Sequence, residues 1–103
     1  MKKVLLSHDY EMTMYLVPEA VADNLEKYCM YFCGEWIWKN PNGEKLLITM
    51  EDGEKCAMYG AQEFIDYLND YAFPDQKSVL AAEMDFNCDG IPEEYKDIPW
   101  FNF

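Results

Sequence analysis

Three sets of side chains in this sequence carry donors or charge at spacings that chemistry can use. The first is Asp85, Asn87, Asp89 and Ile91, followed by Glu93, with Gly90 between. Oxygen donors on alternate residues, with glycine at the sixth position for a sharp turn, suit a hard divalent cation. The second is Glu63, Asp66 and Asp70, whose three- and four-residue spacing places them along one face of a helix. Such a row offers a negative surface to a basic partner. The third is the pair Cys29 and Cys33, also on one helical face, with Cys56, Cys88 and His8 elsewhere in the chain. Zinc would need two more ligands at suitable spacing, and neither CxxC nor HxxxH occurs. The cysteines therefore read as buried free thiols.

The run Asp85-Phe86-Asn87-Cys88-Asp89-Gly90 resembles the opening of an EF-hand calcium loop. Through Ile91-Pro92-Glu93-Glu94-Tyr95 it also resembles the Asp-rich loops of thrombospondin type 3 calcium repeats. The resemblance implies calcium held by the side chains of Asp85, Asn87 and Asp89, by the Ile91 carbonyl, and by Glu93 through water. Position twelve, where the EF-hand places a bidentate carboxylate, is Lys96, and Asp97 stands one residue late. No flanking helix pair is evident. The plainer reading is an Asx-rich turn, since Asp, Asn and Gly favour turns without any metal.

Catalysis finds less support. The only serines are Ser7 and Ser78, neither set in a nucleophile turn, and His8 is the only histidine. His8 lacks an identifiable nucleophile partner and reads as a partly buried, hydrogen-bonded imidazole. The five glycines are scattered rather than gathered into a phosphate loop. There is no arginine, the usual clamp for phosphate or carboxylate. Paired carboxylates carry no information among 20 acids in 103 residues.

Charge is more telling. Twenty acids against eight lysines give a net charge of −12. Residues 1–50 hold seven acids and five lysines, a net of −2, whereas residues 51–103 hold thirteen acids and three lysines, a net of −10. This polarity disfavours direct nucleic-acid binding, which needs a basic face. It is compatible with steering of a basic partner, or with solubility alone. With 17% aromatic residues, the composition argues against intrinsic disorder. The start, Met1-Lys2-Lys3-Val4-Leu5-Leu6, is interrupted by Ser7-His8-Asp9 before it reaches the apolar length of a secretion signal, and no apolar run is long enough to span a membrane. A cytoplasmic protein with reduced thiols is the expectation.

The elements that must position these groups follow from periodicity. Val4, Leu6, His8, Tyr10, Met12, Met14 and Leu16 alternate, predicting a strand, or a hairpin bent near Ser7-His8-Asp9, with one apolar side. Pro18 opens a helix carrying Val21, Leu25, Tyr28, Cys29 and Phe32 inward. Gly34 is a plausible stop, although the helix can run on to Trp38. Trp36, Ile37 and Trp38 cannot all face one way. Asn40-Pro41-Asn42-Gly43 marks a turn. Residues 44–50 and 54–59 form a hairpin about Asp52-Gly53. Ala61 to Ala72 is a second helix, with Phe64, Ile65, Leu68 and Tyr71 inward and Glu63, Asp66, Asn69 and Asp70 outward. For 77–85 the Ala81-Ala82-Glu83-Met84 composition favours helix over strand.

The sequence thus reads as one α+β domain over residues 1–103. A small antiparallel sheet, built from the N-terminal strand or hairpin and the 44–59 hairpin, packs against two or three helices. The tail Ile98 to Phe103 docks on the core, with Trp100 as a candidate partner anchor. The leading functional expectation is a non-enzymatic acidic binding domain, of inhibitor or immunity-protein type, that masks a basic surface of another macromolecule. The candidate contacts are Glu63, Asp66, Asp70 and Trp100. The alternatives are a divalent-cation domain at 85–96 and a small enzyme or ligand-binding domain of unknown substrate.

Overall fold

Alternation at the N-terminus builds a hairpin. β1 (Lys2–His8) pairs antiparallel with β2 (Glu11–Val17) in a register running from Lys2 opposite Val17 to His8 opposite Glu11. The structure is a computed structural model and describes residues 1–8, 11–85 and 93–103. Paired residues share a face, so apolar positions that are even in β1 become odd in β2. Val4 and Leu6 lie with Tyr15 and Val17, whereas Met12 and Met14 lie with Leu5 on the opposite face. The expected single apolar side is therefore corrected to two apolar sides, and both are covered.

The hairpin sits at the centre of a four-stranded mixed sheet. β5 (Val79–Asp85) is antiparallel to β2, and β6 (Trp100–Asn102) is parallel to β1, giving the order β5-β2-β1-β6. The helix expected over 77–85 is corrected to strand. Pairing with β2 and packing of Ala82 beside Met12 and Met14 outweigh the weak helix preference of Ala, Glu and Met. The other hairpin forms about its Asp-Gly turn but stands apart as a two-stranded sheet. It comprises β3 (Leu47–Thr49) and β4 (Lys55–Ala57), with Gly53 at φ 87° in the left-handed region.

Helices cover the Val4–Leu6–Tyr15–Val17 face. α1 (Glu19–Asp23) follows Pro18, and α2 (Leu25–Tyr31) continues after a break at Asn24. The chain then passes through a π-helical turn, Phe32–Trp36, into α3 (Ile37–Lys39). Gly34 lies within this helix rather than ending it. Trp36 and Ile37 are buried, and Trp38 lies at the surface with its indole N–H donating to the Cys33 carbonyl at 3.1 Å.

α4 (Ala61–Tyr67) also widens, into a π-helical turn at Leu68–Ala72. The two wide turns meet through Trp36 and Tyr71, whose ring centroids lie 5.1 Å apart, and Trp36 also lies 4.8 Å from Tyr67 at the end of α4. Phe64, Ile65 and Leu68 are buried as their spacing requires. Tyr71 is corrected to a half-exposed ring, because the wider turn breaks the 3.6-residue spacing that would carry it inward. Asn69 also departs from a simple outward position. Its Oδ1 accepts from the Ser78 N–H at 2.6 Å and its Nδ2 donates to the Ser78 carbonyl at 3.1 Å, tying the turn to the start of β5.

Phe32 is the hub of this core, in ring contact with Trp36, Tyr59, Phe64, Tyr67 and Phe103. The C-terminal tail docks as expected. Phe101 and Phe103 pack on the helix side, while Tyr95 and Ile98 pack on Leu5, Met12 and Met14 on the other. Among the described residues, no helix is long and apolar enough to cross a membrane.

Candidate functional site

The helices do not cover the whole of their face of the sheet. Towards β5 a cleft of about 470 Å³ remains, within the usual size range of ligand pockets. Its floor is Leu6 and His8 of β1 with Thr13 and Tyr15 of β2. One wall is the segment from Met58 to Glu63, and the other is Leu80 and Glu83 of β5.

Each wall has a local cause. Gly60 is the N-cap of α4, and its backbone N–H donates to Glu63 Oε2 at 3.0 Å. This is the carboxylate half of a capping box, and it holds Glu63 at the cleft instead of leaving it to solvent. A Cβ placed on Gly60 would lie 3.6 Å from the His8 ring and from Glu63, so the wall is closely fitted there. In β5 the ladder slips. Met14 pairs with Ala82 and Tyr15 with Leu80, leaving Ala81 as an extra residue. In a regular strand Leu80 and Glu83 would face opposite sides. The bulge at Ala81 puts both on the cleft.

The electrostatics centre on Tyr15. Its phenol is pushed above the ordinary value, first by burial and then by the carboxylates of Asp66, Glu83 and Glu63. Acids from two elements therefore act on one hydroxyl. No lysine lines the cleft among the described residues. Asp66 Oδ1 accepts from Gln62 Nε2 at 2.9 Å, which orients it on the same helix. The rim is apolar, with Met58 at 58% and Leu80 at 53% exposure.

The residues singled out from the sequence are divided by the fold. Glu63 lines the cleft and Asp66 stands within its field, whereas Asp70 lies in the π-helical turn, exposed and outside the lining. Trp100 is on β6, the opposite edge of the sheet from β5, and faces away from the helices. Its indole N–H donates to Ser7 Oγ at 2.8 Å, and Ser7 Oγ in turn donates to Asn102 Oδ1 at 2.9 Å. The four candidates therefore do not form one surface. Glu83, Tyr15 and Leu80 were missed, because their approach depends on a bulge and a parity change that leave no local signal in the sequence.

Of the proposed calcium ligands, Asn87, Asp89 and Ile91 lie outside the described residues. Asp85 closes β5 opposite Glu11. Glu93 opens a 3₁₀ turn at Glu93–Tyr95, and its carboxylate accepts from Lys96 Nζ at 3.1 Å. Among the described residues, no group of three or more metal-ligating side chains is assembled.

The cysteines separate by depth. Cys29 is buried, and burial, followed by the neighbouring Cys33, pushes its thiol well up. Cys33 is half-buried and near Tyr59, whose phenol is pushed up first by burial and then by a hydrogen bond with Cys33. Cys56 is corrected to an exposed thiol, because it faces outward on β4 opposite Ile48. Cys88 is outside the described residues.

Compared with protein-family models, curated proteins and solved structures, the chain gives no match in any of the three.

Proposed function

We propose that this chain is a non-enzymatic acidic binding domain that masks a basic surface of a partner macromolecule, with the α4–β5 cleft as the contact that receives positive charge. The observation that carries the reading is that Glu63 and Glu83 line an open cleft together with Tyr15, with Asp66 one turn along the helix from Glu63 and no lysine in the lining among the described residues. Opposite charge across such a contact speeds encounter and sets specificity. The apolar rim at Met58 and Leu80 supports a partner side chain with a hydrocarbon stem. Binding is favoured over serine-based catalysis because Ser7 is held between Trp100 and Asn102 on the other face, and Ser78 is buried. The reading places the protein in the cytoplasm, with its thiols reduced.

The test is capture by the tagged full chain from nuclease-treated native lysate at low and high salt, beside a variant carrying Glu63→Gln, Asp66→Asn and Glu83→Gln. Glutamine at 63 keeps an oxygen to accept the Gly60 N–H, so the variant loses charge and keeps the cap. The expected result is one basic protein recovered at low salt, lost as salt rises, and associating about tenfold more slowly with the variant. Empty bait at both salts, or equal recovery by the variant, overturns the reading. In the purified variants, Glu63→Ala loses the cap and costs about 1 kcal/mol of stability, whereas Glu63→Gln costs less. Thermal melting separates the two.

A further inference from the structure

The cleft has an unusual neighbour. β5 is an edge strand, and among the described residues no strand pairs with its outer side. It is seven residues long, and Val79 and Leu80 on it are about half exposed, which is an open template for another strand. Because Leu80 and Glu83 both face the cleft, side chains of a strand laid beside β5 would alternate between the cleft side and the opposite side.

We infer that the basic partner is engaged by strand addition: an extended segment pairs with the outer edge of β5 and sets a lysine or arginine across from Glu83, its head group in the field of Glu83 and Glu63. This rests on the acidic-binding reading and adds the mode of recognition. Main-chain hydrogen bonds to β5 would supply affinity, and the cleft would select the side chain. Directly opposed residues on neighbouring strands have Cβ atoms about 5 Å apart, within easy reach of a cross-strand ion pair. The carboxylates in the cleft lining, Glu63 and Glu83, favour a positively charged occupant.

The test uses a random peptide display library, of about twelve residues so that a peptide can span β5, selected against the full chain at low salt. The expected enriched peptides are rich in β-branched residues flanking one lysine or arginine. The best peptide is then made with backbone N-methyl groups on alternate residues, once in each of the two phases, and its affinity is measured for the wild type and Glu83→Gln. Methylating the phase that faces β5 should weaken binding about tenfold or more through lost hydrogen bonds, while the other phase has little effect. Glu83→Gln should weaken it about threefold. Three outcomes overturn strand addition: no enrichment, enriched peptides without a basic residue, or equal tolerance of both methylation phases. If the lysate partner is still captured in a salt-dependent manner, the acidic-binding reading survives that failure. Failure of both assays removes both.

Discussion

Adding one methyl group at Gly34 and at Gly43 should move stability in opposite directions. Gly34 lies inside the π-helical turn, has no positive φ, and a Cβ there meets no atom within 4 Å. Alanine at such a position gains about 0.5–1 kcal/mol over glycine, largely by restricting the unfolded chain. Gly43 is different. It ends the Asn40-Pro41-Asn42-Gly43 turn, pressed against the end of the helix, where a Cβ would lie 2.7 Å from Ile37 Cα and 3.0 Å from the Trp36 carbonyl carbon, with the Trp36 carbonyl oxygen closer still. These are backbone atoms and cannot swing aside, so the turn must open at a cost of about 1–3 kcal/mol. For a domain of this size each kcal/mol moves the melting midpoint by roughly 4–8 °C. Gly34→Ala should therefore raise Tm by about 2–8 °C, and Gly43→Ala should lower it by at least about 4 °C. Far-UV circular dichroism melts of the three proteins at one pH and salt would show this. A lower Tm for Gly34→Ala would mean that Gly34 is a left-handed helix cap and that the helix ends there. A Gly43→Ala protein as stable as wild type would refute the close approach of turn and helix.

Two further predictions concern protons and metal. Cys29, Tyr15, Tyr59 and Tyr67 all have folded pKa values raised, chiefly by burial, so the fold favours their neutral forms. Their contribution is complete below the unfolded pKa and is lost as pH rises through the folded value, so stability should decline from about pH 8.5 as the unfolded thiol ionises and more steeply above about pH 10 as the unfolded phenols follow. In melts across this range, Cys29→Ala should delay the onset to about pH 10, and a flat wild-type profile between 8.5 and 10 would refute the thiol's part. For calcium, Lys96 at position twelve and its hydrogen bond to Glu93 lead us to expect equal Tm in millimolar calcium and in chelator. A metal at 100 times its Kd would add about 2.7 kcal/mol, and a rise of about 10–20 °C would install a real site at 85–96.

What was legible in the sequence was what short-range chemistry decides. Asp52-Gly53 marks its hairpin because a left-handed turn residue belongs there, and Phe64, Ile65 and Leu68 bury themselves by helical spacing alone. The tail's aromatic residues announce a docking segment. Less legible was anything decided by pairing at a distance. The change of parity between β1 and β2 moves Met12 and Met14 to the second face, and continuous alternation along the sequence conceals it. β6 is recruited to β1 across most of the chain length, and β5 becomes a strand because β2 offers an edge. Of the three acids in the helical row, Glu63 lines the cleft and Asp66 stands on the same helix, whereas Glu83 comes to the cleft from a segment whose alternation is broken by the bulge at Ala81.

That broken periodicity has a direct test, because the two alanines make the bulge removable. Deleting one of Ala81 and Ala82 leaves the sequence Val79-Leu80-Ala-Glu83-Met84-Asp85, whichever is removed. In the strand register seen here, the remaining alanine still pairs with Met14, Leu80 still pairs with Tyr15, and both Leu80 and Glu83 keep their places on the cleft. The shortened strand then alternates regularly. Its expected stability is within about 1 kcal/mol of wild type, a shift of no more than roughly 4–8 °C, and charge-dependent partner capture should persist. Were 77–85 a helix, the same deletion would rotate every preceding residue by about 100° and carry Leu80 off its face, with a much larger loss. An unfolded deletion variant would refute the bulge and, with it, the reason that Leu80 and Glu83 meet. A folded variant that no longer captures its partner would separate the geometry of the cleft from its charge, and would show that the edge displaced by the bulge is what the partner reads.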